Sequence, residues 1–211
     1  MKKLIIVGCG GFARELYWHA QDSLGYLETW ELKGFLDGDV RLPEAEYEKL
    51  ELPVVGDIAS YEIQPDDVFV CAVGTPAVRK KMSEALRARG GKFFTLIHKT
   101  AIVHGTAQIG EGTILCPRVS IHDHAVIGKD VLFNGNSGAG HDVTVGDHSC
   151  FMGGCSLCGY AQIGRETYWG DGACALPHSR VDDGAFVGAR SVVFKHVRKG
   201  QKVFGNPAMP I

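Results

Sequence analysis

From Val103 onward the large apolar positions recur every six residues. Val103, Ile109, Leu115, Ile121, Ile127, Phe133, Ala139, Val145, Phe151, Leu157, Ile163, Trp169, Ala175, Val181, Val187 and Val193 stand in one register, and all sixteen are apolar. Four residues after each comes a small or β-branched residue, from Ala107, Thr113 and Val119 through Ser137, Cys155 and Ala161 to Ser191 and Val197. Neither a helical period of 3.6 nor a strand period of 2 produces this spacing. A short strand followed by a tight corner does, with the large residue filling the interior and the small one letting the chain turn beside it. Three such strands close a triangular coil of eighteen residues, so sixteen hexads make a little over five coils. Each coil rises by about 4.8 Å, the spacing between paired strands. The pattern predicts a left-handed parallel β-helix of hexapeptide repeats, with Phe133, Phe151 and Trp169, eighteen apart, stacked in successive coils.

The first hundred residues follow another rule. Leu4-Ile5-Ile6-Val7 is a short apolar run that ends in Gly8-Cys9-Gly10-Gly11, and a helical pattern (Phe12, Leu16, Ala20) begins directly after it. A second run, Leu32 to Leu36, ends at Asp37; a third, Val68 to Val73, ends at Gly74. Thr75-Pro76 then reads as an N-cap with proline in the first helical turn. A last strand is expected over Lys92 to Ile97. Alternating strands and helices imply a small Rossmann-like parallel sheet with helices on both faces. The chain therefore divides into an α/β module over 1–97 and an all-β module over 98–211. Ligands of such sheets sit beyond the carboxyl ends of the strands, an edge that here carries Gly8 to Phe12, Asp37 to Asp39 and Gly74. Gly8-x-Gly10-Gly11 is part of a dinucleotide fingerprint, and Asp37 is suited to accept from a ribose or a base.

Composition narrows the function classes. With 45% hydrophobic residues and a formal net charge of −2, the chain has no basic footprint for nucleic acid or a membrane surface. The compact cluster Arg79-Lys80-Lys81 is too short to change that. The apolar run near the N-terminus is a buried strand by length rather than a signal peptide or a spanning helix. Seven cysteines then read as free thiols in a reducing compartment, by default the cytoplasm. Cys155 and Cys158 have CxxC spacing, but the repeat points Cys155 inward, so no metal site is expected.

The coil period also assembles a candidate site. His141 and Asp123 are third in hexads eighteen residues apart, so they stack on the same outer edge, and Asp142 likewise stacks with His124. These four residues form a cluster of alternating imidazole and carboxylate. A neutral imidazole, ordinarily titrating near 6.5, accepts a proton at cellular pH, and a carboxylate that fixes its tautomer improves the base. Either Asp123 or Asp142 is in position to orient His141, and Gly159 on its far side leaves room for a pantetheine arm. His104, His122, His148, His178 and His196 all fall at outward positions, where solvation or subunit contacts are expected.

The segments GCGGFAREL (8–16), FLDGD (35–39), VGD (55–57), AVGTPAVRKKM (72–82), NGNSGAGHD (134–142) and GNPA (205–208) resemble the bacterial sugar acetyltransferases of the hexapeptide-repeat type. That family includes sialic acid O-acetyltransferases and N-acetyltransferases of nucleotide-linked 4-amino-sugars. The resemblance implies acetyl-CoA as donor, a homotrimer, active sites between neighbouring β-helices, and the histidine matching His141 as general base. It implies Asn134 near the reacting groups, and Gly10, Gly11, Phe12, Asp37 and Gly74 on the acceptor side. Coenzyme A would lie near Gly159, Gly170, Gly188 and the Pro207 tail, and Cys150 takes a cofactor-side position where members often carry a second histidine. Phe12 stands where many nucleotide-sugar members have histidine, Asp37-Gly38 where they have an aspartate pair, and His141-Asp142 where amino-sugar members often have His-Glu. The expected reaction is N-acetylation of a nucleotide-linked 4-amino-sugar, with O-acetylation of a sialic-acid-type sugar as the alternative. A trimeric nucleotide-binding scaffold without catalysis is the alternative from another class. A zinc carbonic anhydrase on the same β-helix would need a close histidine pair five apart, whereas His141 and His148 are seven apart.

Overall fold

The computed structural model describes residues 1–38 and 42–211, so Asp39 of the expected acceptor edge lies outside the described residues. Five parallel strands form the N-terminal sheet in the order β3-β2-β1-β4-β5: β1 is Lys2–Val7, β2 Trp30–Asp37, β3 Val54–Asp57, β4 Asp67–Cys71 and β5 Lys92–Phe93. Two long helices cover it, α1 over Gly11–Gln21 and, after the single turn α2 at Glu44–Tyr47, α3 over Pro76–Ala88. Ala13, Leu16 and Ala20 of α1 pack with Leu4, Ile6 and Trp30, whereas Met82 and Leu86 of α3 pack with Ile5, Val7 and Phe69. Alternate residues of β1 thus feed opposite cores, as a sheet covered on both faces requires. Gly8 turns the chain from β1 into α1 at φ 104, a conformation open to glycine. Thr75 sits at the start of α3 with Pro76 behind it, as expected, although its hydroxyl makes no capping bond among the described residues.

The strand expected over Lys92 to Ile97 is two strands. Lys92–Phe93 closes the N-terminal sheet, whereas Leu96–Ile97 pairs with Ile114–Leu115 and opens the β-helix. The repeat then builds three faces of six, six and eight strands, all parallel except for the terminal Met209–Pro210, which pairs antiparallel with Lys202–Phe204. Every expected interior position from Leu115 through Val193 is buried. Phe133 and Phe151 stack 4.5 Å apart at 9°, and Phe151 and Trp169 follow at 5.6 Å and 32°. Coils approach so closely that a Cβ at Gly128 would meet the Asp147 nitrogen at 2.8 Å. The final coil departs from the period: Val181 pairs with Val197 and Val187 with Val203, sixteen residues on rather than eighteen. Val197, expected at a small corner position, is therefore an interior strand residue.

Corners are made by a left-handed residue three positions after the interior one. Arg118, His124, Asp130, Asn136, Asp142, His148, Tyr160, Glu166, His178 and Arg190 all have φ between 53 and 61. Glycine fills the equivalent places at Gly112, Gly154, Gly172 and Gly184.

The N-terminal module docks on the eight-stranded face and covers the outward residues Ile114, Leu132 and Cys150. Arg79, buried in α3, donates from Nε to the Asp130 carbonyl at 2.5 Å and from Nη1 to the carbonyls of Cys71 and Val73. Arg87 pairs with the buried Asp130 carboxylate, and Lys80 pairs with Glu166 at 2.8 Å. The basic cluster of the sequence thus serves in part to fasten the two modules. His148 keeps its outward position in the coil but is buried in this junction, with Nδ1 3.5 Å from Asp130 Oδ2, so the solvated place or subunit contact expected for it is not observed. Burial pushes its imidazole below the ordinary value. Among the described residues no helix is long and apolar enough to cross a membrane.

Candidate active site

The carboxyl edge of the N-terminal sheet holds a pocket of about 470 Å³ lined by Gly8, Cys9, Gly10, Phe12, Asp37, Leu42, Gly74 and neighbouring side chains of α3. Four of the five expected acceptor-side residues therefore line one cavity, and Gly11 begins α1 at its edge. A Cβ at Gly10 would meet nothing within 4 Å, so the glycine leaves the cavity floor open. The first turn of α1 leaves backbone N–H groups unpaired toward this end, a ready partner for phosphate. Asp37 is held from both sides: Gly38 N donates to Oδ1 at 2.8 Å and the Tyr47 hydroxyl donates to Oδ2 at 2.6 Å. Burial and the nearby Asp37 carboxylate push the Cys9 thiol up to about 12, so it stays protonated. Tyr47 gave no signal in the sequence, because its role depends on the single-turn α2 folding back over the strand end.

Gly74 brings this pocket to the β-helix. A Cβ there would stand 3.5 Å from Cε of Met152, which occupies the corner position one coil after Asn134. Asn134 accepts from Gly135 N at 2.7 Å and marks the corner between the docked face and the next one.

His141 stands at a different corner, one face further along the chain. The two corners are separated by the strand Gly138–Ala139 and its flanking turns, seven residues from Asn134 to His141. The coil register runs as expected, with Asp142 N donating to the Asp123 carbonyl at 2.9 Å and Tyr160 N to the His141 carbonyl at 3.1 Å. The side chains choose between the two carboxylates. Nδ1 of His141 donates to Asp142 Oδ2 at 2.9 Å, whereas Asp123 pairs with His124 at 3.1 Å and accepts from Thr106. The Thr106 hydrogen bond, and after it the His124 ring, hold Asp123 below the usual carboxylate range. With Nδ1 bound to a carboxylate, Nε2 of His141 is the nitrogen left to take a proton. A groove of about 420 Å³ runs beside this corner past His122, Gly138, Gly140, Ser156, Cys158 and Gly159.

The expected cofactor residues are dispersed. Gly159 lies under His141, where a Cβ would come within 2.6 Å of Cε1 and Nε2, so the imidazole itself fills the room the sequence assigned to a pantetheine arm. Gly170 and Gly188 stand on the Asn134 corner and are covered by their own chain, by the Ala189 backbone and the Phe204 ring respectively. Cys150 is fully buried on the docked face, its thiol pushed up to about 12 by burial, and has no surface to offer a cofactor. Pro207 follows a cis peptide bond in the C-terminal tail. Among the described residues no group of three His, Cys, Asp or Glu side chains could hold a metal ion.

Residues 3–86 match the family described as the PglD N-terminal domain. A GDP-perosamine N-acetyltransferase of Escherichia coli O157:H7 is 32% identical over 105 residues, 50% of this chain and 48% of that protein. A UDP-N-acetylbacillosamine N-acetyltransferase of Bacillus subtilis is 33% identical over 115 residues, 54% of this chain and 51% of that protein. These alignments span about half the length of each relative. Across the full chain, the acetyltransferase domain of PglB from Neisseria gonorrhoeae, solved with acetyl coenzyme A, superposes with a TM-score of 0.88 at 28% identity, covering 100% of this chain and 99% of that one.

Proposed function

From its membership in the hexapeptide-repeat family of bacterial sugar acetyltransferases, we propose that this chain moves an acetyl group from acetyl-CoA to the amine of a nucleotide-linked 4-amino-sugar. The observation that carries the reading is the His141–Asp142 pair on an open β-helix corner, in a molecule whose other end offers a glycine-lined pocket above a helix N-terminus. The pocket suits a nucleotide: apolar walls at Phe12, Leu42 and Met82 for a base, the Asp37 carboxylate for its donors or the ribose, and α1 for phosphate.

Transfer from a thioester to an amine needs no enzyme nucleophile, because the acceptor attacks directly. It needs a base: the ammonium form of the amine loses one proton to solvent before attack, and the free amine sheds a second as the amide forms. His141 Nε2 takes that proton while Asp142 holds Nδ1–H and balances the imidazolium. The proton then passes to the departing thiolate of coenzyme A, which returns the base to its starting form. Such catalysis is worth about 10² to 10⁴-fold.

Within one chain the pocket touches the β-helix through Gly74, beside Met152 on the Asn134 corner, whereas His141 stands at the next corner along the coil, so pocket and base face different corners. A site shared between neighbouring copies removes the gap, which supports a homotrimer with the base from one subunit and the acceptor pocket from the next. A cytoplasmic setting accords with seven free cysteines.

The test is thiol release from acetyl-CoA against UDP-, GDP- and dTDP-linked 4-amino-sugars on one side and free or CMP-linked sialic acid on the other, with His141→Ala alongside. Turnover with an amino-sugar that is lost in the variant supports the reading. Turnover with sialic acids alone assigns O-acetylation instead, and silence with no acetyl-CoA binding leaves a scaffold.

A further inference from the structure

One hydrogen bond fixes a point on an imidazole but not its plane. The His141 side chain is more than half exposed, so the Asp142 contact alone leaves the ring free to swing about it. The left-handed corner position supplies what is missing. Asp142, Tyr160 and His178 occupy it in three successive coils, with φ of 58, 61 and 61, and their side chains form a column along the edge. Asp142 reaches Nδ1 from its own coil. Tyr160, one coil further, meets the same imidazole with ring centroids 5.1 Å apart and planes at 87°. His178, from the coil after that, lies flat against Tyr160 at 4.8 Å and 3°. A solvated tyrosine samples several rotamers, whereas one stacked on a neighbouring ring is held to one.

We propose that Tyr160, clamped by His178, is a positioning residue for the base: it sets the plane of the His141 ring so that Nε2 points along one direction. The inference rests on the reading of His141 as general base. An edge-to-face ring pair is a directional contact, favourable only near the perpendicular arrangement seen here. The backbone of Gly159 closes the ring from below. Asp142, Gly159 and Tyr160 together leave the imidazole one orientation.

Tyr160→Leu keeps apolar bulk at an exposed corner and removes the ring; Tyr160→Phe keeps the ring and removes the hydroxyl. The expected result is a kcat reduced about tenfold in the leucine variant, the upper range for an aromatic pair, with KM for acetyl-CoA and for the acceptor unchanged and full recovery in the phenylalanine variant. An unchanged kcat in Tyr160→Leu overturns the proposal, and so does a raised KM for acetyl-CoA at constant kcat, which would make Tyr160 a cofactor contact. A second readout does not depend on turnover. In histidine-labelled protein, the His141 ring-proton resonances should carry a ring-current displacement that disappears in Tyr160→Leu and persists in Tyr160→Phe. Absence of that displacement in the unsubstituted protein refutes the positioning contact even if the acetyltransferase reading stands. Its presence in a protein without turnover retains the contact and discards the reaction.

Discussion

Gly159→Ala separates two uses of one glycine. If Gly159 makes room for the cofactor, a methyl group there should weaken acetyl-CoA binding. The structure assigns the space to His141: the new Cβ would lie 2.6 Å from both Cε1 and Nε2, against a normal carbon contact of about 3.5 Å or more. The imidazole must therefore retreat by roughly 1 Å while its Nδ1 remains tied to Asp142. A displacement of that size costs about 10²-fold in rate, or about 2.7 kcal/mol of transition-state stabilisation. The fold should be indifferent, because the displaced ring is at the surface and Gly159 has no left-handed φ to forfeit. Steady-state thiol release should show kcat down by about two orders of magnitude with KM for acetyl-CoA near that of the parent, and thermal unfolding should be unmoved. A raised KM at intact kcat would refute the reasoning and return Gly159 to the cofactor. A large fall in melting temperature would show that the close contact belongs to the fold.

His141→Ala should lower kcat by about 10² to 10⁴-fold, with acetyl-CoA binding retained by calorimetry. Asp142→Asn should lower kcat by roughly tenfold or more while Asp123→Asn leaves it unchanged, since only Asp142 reaches the ring; the reverse order would reinstate Asp123. Burial holds His148, His19 and His98 below their ordinary values, so the unfolded chain gains protons first as pH falls through about 6.5. The stability these groups confer is complete above that pH and declines below it. Melting temperature should therefore drop between pH 7.5 and 5.5, less steeply in His148→Gln, and an identical slope in the variant would remove His148 from the account. Arg87→Met strands the Asp130 carboxylate, buried between the modules, and should cost about 3 to 5 kcal/mol in denaturant unfolding; a loss under 1 kcal/mol would show that His148 and solvent compensate.

The β-helix was legible because its period is a packing requirement. A triangular coil has three interior places, and each must be filled, so Phe133, Phe151 and Trp169 announce their own stack. The same register located His141 and matched it with its neighbours one coil away. The period does not say which atoms meet, and the choice of Asp142 over Asp123 came from the left-handed corner, a backbone state that residues as different as Arg118, Asp142, Tyr160 and Glu166 adopt here. Tyr160 and His178 went unrecognised as a column for the same reason. Cys150 and His148 follow the outward pattern of the repeat and are buried by a second module, a fact outside any single-coil rule. Asp37 was visible at a strand end, but Tyr47, which holds it, arrives through a turn with no periodic signal. The shortened final coil escaped notice because Val197 satisfies both the corner and the interior place.

The most direct measurement concerns the separation of the pocket and the base. Gly10→Trp should occlude the acceptor pocket without a backbone clash, since a side chain there meets open space, and His141→Ala removes the base. Each variant alone should be inactive. Co-expressed in equal amounts, they should recover about a quarter of the parental activity, the share of interfaces that join an intact pocket from one chain to an intact base from another. A mixed assembly as silent as its parents would contradict the account, because base and acceptor would then have to meet within one chain.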